Sequence, residues 1–467
     1  MIYGKLLDFL GQKRLSDKKY ARYITSSYVE NPYIVYRGAR YLWKKGHHEL
    51  AKRTVKKHLD MKPDARLTRL YAFFLLKERK EELAIKLYHR YIKIQPDNLW
   101  ARIFLGDLYY FFVNEKDKGI EIWEEILNME EEITKSTIDP ARYVYKRLTK
   151  VYMEKEDIDK ALELYEKFLA LTPSNFYETD FINLATIYLI KGMEEKAKHV
   201  MEMGIAVSPK YYKLRQMYED IFGVKIKARE HKWVAEVKQK YPDIEKIPIK
   251  TKIVDERDEI WEIADLYTRN IRQEGDIIVI ASCVAAITEG MFYMADGVDY
   301  GTLAWLLASF VEKKNPFHSL KEHHGEPFSL LAPLANPMAM QVLIEETGTL
   351  PIIKAAIHGA IGRLTGKRGM FYKTAGDQAA LIDDMPASLA PYDYYIILGP
   401  EDSDAVAMQI KEITGLEAAI VDANDLTGAW VVGASDGVDR KLLEDVLMDN
   451  PAGNQDQQTP VMLVRGL

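Results

Sequence analysis

The chain has 467 residues, 48% of them hydrophobic, which is enough for at least two globular cores and excludes a disordered or fibrous protein. Its single cysteine, Cys283, rules out an intramolecular disulfide framework and fits a reducing, cytoplasmic setting. The net charge of −6 conceals opposed halves: residues 1–250 carry 48 Lys and Arg against 37 Asp and Glu, a surplus of +11, and the rest carries 16 against 33, or −17.

The N-terminal stretch MIYGKLLDFLGQKRLSDKK has no uninterrupted apolar core of signal-peptide length, so export is not expected. The apolar run Leu303–Val311 falls far short of the roughly twenty residues that span a bilayer. Charges in the first half alternate in sign along helices, so solvated faces are expected there and nucleic acid is not an expected partner.

Leu148, Tyr152, Ala161, Tyr165 and Pro173 stand in a pattern that resembles the tetratricopeptide repeat. The next unit offers Leu184, Ala185, Tyr188, Ala197, Met201 and Pro209, and both Ala161 to Ala197 and Pro173 to Pro209 are 36 residues apart. Looser units precede them, at Ala39, Leu42, Ala51 and Pro63, then at Ala72, Leu75, Ala84, Tyr88 and Pro96, offset by 33. A further unit opens at Leu105, Gly106 and Tyr109 but leaves through EEEITKSTIDP without a proline, which predicts a longer loop. Small residues let the two helices of a hairpin approach, Tyr and Leu fill the gap, and Pro ends the second helix. The expected architecture is an all-α repeat solenoid over 1–241, with residues 211–241 as its cap, a hinge at 242–248, and a second domain over 249–467. Such arrays present a surface to a protein partner and contain no chemistry of their own.

The second half reads as mixed α/β. Strands are predicted at Ile277–Ala281, Tyr394–Leu398, Leu416–Val421, Trp430–Gly433 and Val461–Val464. Helices are predicted near Asp258–Ile271, Thr302–Glu312, Pro337–Glu346, Pro351–Leu364, Ser403–Ile413 and Val438–Leu447. Cys283, inside an apolar run, reads as a packing residue. Asp422, Asn424 and Asp425 close the Leu416 strand, and two readings stand: carboxylates at a strand end hold a hard cation against phosphate, or they form an Asx-rich turn before Gly428.

Seven segments from about residue 247 to 466 resemble, in order, the coenzyme F(420):L-glutamate ligase family. They are IPIKT, GDIIVIASCVAAITEG, KRGMFYKTAG, Ile382-Asp383, LGPEDSDAVA, VDANDLTG and TPVMLVRG. The resemblance implies an α+β ligase-like domain that joins L-glutamate to a carboxylate of a small acceptor, a deazaflavin or folate-like pterin. The cost is met by GTP or ATP with Mg2+ or Mn2+. Amide formation of this kind passes through an acyl phosphate, which requires cations and basic groups on the phosphates. Asp425 and Asn424 are then the catalytic candidates. Asp425, Asp422, Asp377 and Glu289 are the metal candidates, and Lys367, Arg368, Lys373 and Gly376 the nucleotide or phosphate candidates. Three departures remove expected charge: Ser282-Cys283 replaces Gln-Lys, Gln378 replaces an aspartate, and Ala429 replaces an arginine. The alternative expectation is therefore a non-catalytic repeat adaptor with a degenerate ligase-like domain that binds a partner or senses a nucleotide. His318, Glu322, His323, His324 and Glu326 lack metal-ligand spacing and read as a polar loop, and His358 reads as a packing histidine.

Overall fold

In the computed structural model, which describes residues 2–133, 140–171, 176, 178–207, 212–225, 236–237, 239–311, 333–367, 370–383, 388–424, 428–453 and 457–467, the first half is a solenoid of helical hairpins. After α1 (Ile2–Phe9) and α2 (Lys13–Ser26) come the pairs α3 (Pro32–Lys44) and α4 (His48–Met61), α5 (Ala65–Lys77) and α6 (Glu81–Ile94), and α7 (Leu99–Asp107) and α8 (Lys116–Ile133). The pairs α9 (Ala141–Glu154) and α10 (Ile158–Leu171), then α11 (Glu178–Ile190) and α12 (Glu194–Val207), complete the hairpins before α13 (Tyr212–Phe222). Three first helices start by one device: Asn31, Asp64 and Asn98 accept the backbone N–H of Ile34, Leu67 and Ala101 at 3.2, 2.9 and 2.9 Å. The small repeat positions Ala39, Ala51, Ala72, Ala84, Ala161 and Ala197 are wholly buried. At Gly106 a Cβ would strike the Trp123 indole, so α7 and α8 meet at a separation only glycine allows. Pro63 and Pro96 fall in the predicted linkers after α4 and α6, and Pro173 and Pro209 lie outside the described residues.

The second half is mixed α/β. Its elements are β1 (Glu245–Ile249), α14 (Ile260–Thr268), β2 (Ile277–Ala281), α15 (Ser282–Thr288), β3 (Phe292–Met294), α16 (Thr302–Ser309), α17 (Pro337–Thr347) and α18 (Thr349–Leu364). They continue with α19 (Met370–Ala375), α20 (Asp377–Leu381), β4 (Tyr395–Ile397), α21 (Ser403–Thr414), β5 (Glu417–Asn424), β6 (Gly428–Ala434), α22 (Arg440–Leu447) and β7 (Val461–Arg465). The stretch read as a hinge runs into β1, which pairs antiparallel with β7 from Glu245 opposite Arg465 to Ile249 opposite Val461. The five-stranded sheet has the order β1-β7-β2-β5-β6, with β2 and β5 parallel and the other neighbours antiparallel. Strand alternation sends Ile278 and Ile280 into one apolar layer with Ile260, Ile263, Val406 and Ile410, and Val279 into the other with Leu443, Val446 and Leu447. Helices therefore cover both faces.

The segment between α15 and β4 packs against the repeats. The two-stranded ladder β3–β4 and helices α16–α18 share one continuous core with α3, α5, α7 and α9, the first helices of successive hairpins. Four arginines on those helices reach carboxyl or carbonyl groups of the second half. Arg37 donates to the Glu345 carbonyl at 2.8 Å, and Arg66 donates to the Glu345 carboxylate at 3.0 and 3.4 Å. Arg69 donates to both Glu256 oxygens at 2.9 and 2.8 Å, its guanidinium lying 4.5 and 4.7 Å from the Phe104 and Phe292 ring centres. Arg147 bridges Asp107 at 2.7 and 3.0 Å and Asp393 at 3.2 and 2.9 Å. The opposed charges of the two halves are thus complementary surfaces of one molecule. Gly290, at φ +71°, lets the chain turn beneath Phe73, whose ring would lie 2.7 Å from an added Cβ.

Removing one member of a buried ion pair leaves its partner charged and unsolvated. Arg147→Ala is expected to destabilise the protein by about 3–5 kcal/mol in urea denaturation. A loss under 1 kcal/mol would show that Asp107 and Asp393 are solvated or otherwise paired. Asp296 gives a pH-dependent companion. One carboxylate oxygen accepts from the Asn98 amide at 2.8 Å and the other is buried without a hydrogen-bond partner, and burial holds its pKa up at about 6. A raised folded-state pKa stabilises below the unfolded value near 4 and loses that contribution as pH rises through 6. Asp296→Asn is therefore expected to raise stability at pH 8 by about 1–3 kcal/mol and to flatten the stability profile between about pH 4 and 6. An unchanged profile would contradict the assignment.

Candidate functional site

Parallel strands β2 and β5 end side by side at Ala281 and Val421, and beyond their carboxyl ends lies a hollow of about 180 Å³. Open sheets place ligand sites at such an edge. Val279, Val421 and Met462 form its floor, Val284 and Ile287 of α15 one wall, and Leu389 and Tyr392 another. Val254 and Leu447 close the sides.

The polar groups around the hollow are already committed to the protein. Lys252, its charged lining residue among those described, pairs through Nζ with Asp258 at 2.6 Å. The Gln458 amide donates to the Thr251 carbonyl at 2.6 Å, and the Thr251 hydroxyl donates to the Lys252 carbonyl at 2.7 Å. The Thr459 hydroxyl donates to the Ala452 carbonyl at 2.5 Å, and the Tyr392 hydroxyl accepts the Glu256 N–H at 3.0 Å. Cys283, in the first turn of α15, opens into this space. Burial, reinforced by the Asp383 and Asp422 carboxylates, pushes its thiol up to about 12. It is held protonated, the opposite of an activated nucleophile.

The predicted site residues do not assemble here. Asp425 and Arg368 lie outside the described residues. Asn424 ends β5 opposite Gly428. Asp422 sits on β5, where burial raises its pKa and the Ser282 hydroxyl lies 3.5 Å away. Glu289 is at the far end of α15 and accepts the Glu401 N–H at 2.9 Å, beside the Lys44–Glu401 ion pair. Its carboxyl, raised by burial, belongs to the contact with the repeats. Lys367 follows α18, Lys373 is on α19, Gly376 turns the chain at φ +91° and Asp377 opens α20; all four are exposed, and none lines the hollow. His358, expected to pack, is exposed and lies 2.9 Å from the Thr374 hydroxyl. His318, Glu322, His323, His324 and Glu326 lie outside the described residues.

Two expectations are corrected. Among the described residues no three His, Cys, Asp or Glu side chains converge as metal ligands, which overturns the Mg2+ or Mn2+ site. Asp422, Glu289 and Asp377 stand on separate elements. The GTP or ATP site falls with it, because among the described residues there is no cation-holding set of carboxylates, and Lys367, Lys373 and Gly376 line no part of the strand-end hollow. Sequence reasoning missed the hollow itself, since its walls come from segments near residues 251, 279, 284, 389, 421 and 459 that only the fold brings together.

A tetratricopeptide-repeat family model matches residues 144–175. No curated protein matches the chain. Among solved structures, MamA is 20% identical, covering 37% of this chain and 95% of its own, with a TM-score of 0.28. The C-terminal part of a TPR repeat-containing protein from Cytophaga hutchinsonii is 20% identical over 51% of this chain and 93% of its own, with a TM-score of 0.35. Pseudomonas aeruginosa pilF is 16% identical over 50% and 95%, with a TM-score of 0.31. No helix of the described residues is long and apolar enough to cross a membrane.

With the thiol held near 12, Cys283 in the folded protein is expected to react with Ellman's reagent at pH 8 about a thousandfold more slowly than in urea, where its pKa returns to roughly 8.5. Each added pH unit should then speed the native reaction about tenfold while the fold persists. Rapid stoichiometric labelling of the native chain at pH 8 would contradict this environment.

Proposed function

We propose that the protein is a non-catalytic interaction protein, a repeat frame filled by its own chain that presents α18 and α16 to an acidic-flanked amphipathic helix of a protein partner. The observation that carries this reading is an apolar stripe left exposed on the described residues. Ile357, Ile361 and Leu364 of α18 are 55%, 45% and 89% exposed at the i, i+4, i+7 spacing of a helix-packing seam. Trp305 and Leu306 of α16, with Phe310 after it, are exposed as well, and Arg363 ties the two helix ends by donating to the Phe310 carbonyl at 2.7 Å. Exposed apolar surface in this concentration marks an interaction site.

Charge selects the partner. Lys354 and Lys367 stand on and just after α18, and α16 and α18 contain no acidic residue, so an acidic flank complements them. On this reading the basic segment that resembles a phosphate loop meets a protein. The inner row α3, α5, α7 and α9, where repeat arrays commonly receive partners, holds the chain's own β3, β4 and α17. The ligase resemblance then describes inherited sheet architecture, and L-glutamate and a carboxylate acceptor are not substrates. The replacements at Ser282-Cys283, Gln378 and Ala429 support that view.

Ile361→Asp combined with Leu364→Asp is expected to abolish co-purification of a stoichiometric partner while shifting stability by no more than about 0.5 kcal/mol. A photo-crosslinking residue at Leu364 should attach to an amphipathic acidic helix of that partner. The proposal fails if the double variant keeps the partner. It also fails if the full chain, given glutamate, nucleoside triphosphates, divalent cations and a panel of carboxylate acceptors, yields a product heavier by one glutamyl unit.

A further inference from the structure

We infer that the hollow at the carboxyl ends of β2 and β5 is a binding site for an uncharged fused-ring aromatic molecule about the size of indole or naphthalene. Size comes first. An apolar protein cavity of roughly 150 Å³ accepts benzene, and this hollow of about 180 Å³ has room for a second fused ring of similar thickness.

Chemistry narrows the class. The floor and walls are Val279, Val421, Met462, Val284 and Leu389, which offer dispersion contacts and no charge. Two sulfurs, Cys283 Sγ and Met462 Sδ, and the Tyr392 ring border the same space, and sulfur and aromatic rings both favour an aromatic occupant over an aliphatic one. Among the described lining residues an anionic or phosphorylated ligand finds no free cation: the Lys252 ammonium is held by Asp258, and the Gln458, Thr459 and Thr251 side chains are bonded to backbone carbonyls. A ligand with many donors would leave them unsatisfied, at a cost that burial makes large.

Position adds a third argument. Gln458 and Asn450, which border the hollow, hold left-handed backbone conformations at φ +59° and +45° that non-glycine residues rarely adopt. Strain of this kind collects at ligand sites, where the surrounding structure enforces it. The site is independent of the α16–α18 stripe, which lines no part of it.

The test uses the full-length protein and indole as probe. Indole is expected to raise the melting temperature saturably and, at ten times its Kd, to slow alkylation of Cys283 by iodoacetamide at pH 9 about tenfold. Ala281→Trp, which fills the hollow, should keep the far-UV circular dichroism of the parent and abolish the thermal shift. If that variant fails to fold, Ala423→Trp fills the same space from the neighbouring strand. The inference is overturned if indole and naphthalene give no saturable shift, if saturating indole leaves the alkylation rate unchanged, or if a folded filled variant binds indole as the parent does. ATP or GTP protecting Cys283 as well as indole does would also overturn it. Partner co-purification and glutamyl-transfer assays do not report on this hollow, so the two proposals can fail separately.

Discussion

The row of buried arginines along the inner helices of the solenoid is the constraint on which the rest of the molecule depends. Arg37, Arg66, Arg69 and Arg147 each project from a first helix of a hairpin and close on Glu345, Glu256 or Asp393. A guanidinium buried this deeply needs its donors answered, and here local carboxylates such as Asp8, Asp17 and Asp107 share that task with Glu345, Glu256 and Asp393, which lie more than a hundred positions away in sequence. The repeats and the second half therefore fix one another. The net worth of such pairs is modest, but the penalty for separating them is large, and the buried rings of Phe104, Phe292, Tyr394 and Tyr395 add apolar burial in the same seam.

That arrangement shapes what the second half can do. Glu289, which by resemblance belonged to a metal site, instead holds the Glu401 backbone against the repeat surface. Gly290 is needed for the approach to Phe73. Asp422 belongs to no group of three or more His, Cys, Asp or Glu side chains among the described residues that could hold a metal ion. What remains at the sheet edge is an apolar hollow containing a protonated thiol, and what remains outside is an apolar stripe on α18. We propose both as recognition surfaces, one of small-molecule scale and one of helix scale.

The fold was largely legible in the sequence. Offsets of 36 and 33 placed the helical hairpins because one small residue per helix must sit at the crossing, and Ala51, Ala84, Ala161 and Ala197 are buried there. Short apolar runs placed β2, β5, β6 and β7, because strands covered on both faces lack polar interruption. Less was legible in the 242–248 stretch: Ile247 and Ile249 are only part-buried and Pro248 reads as a breaker, yet on an edge strand its missing N–H costs nothing. The site was less legible still. The motifs of the second half did not reveal the company each charge keeps, since Glu289 meets the Glu401 backbone only through tertiary packing. One signal was present: arginines embedded in apolar stretches, YRGARYLW and LTRLYAFF, and acids in IEETG and YDYY, each announcing a buried charge in need of a counterpart.

The central claim is that the solenoid and the β3–β4 segment form one cooperative unit, closed by the arginine row. Native-state hydrogen exchange tests it most directly, because it reads the opening free energy of each segment separately. The account predicts that amides of Phe292–Met294 and Tyr395–Ile397 exchange with the same free energy as those of α5 and α7, all near the global unfolding value. If the two strands open at several kcal/mol less than the helices they pack against, the repeats stand alone and their inner face is free for another protein.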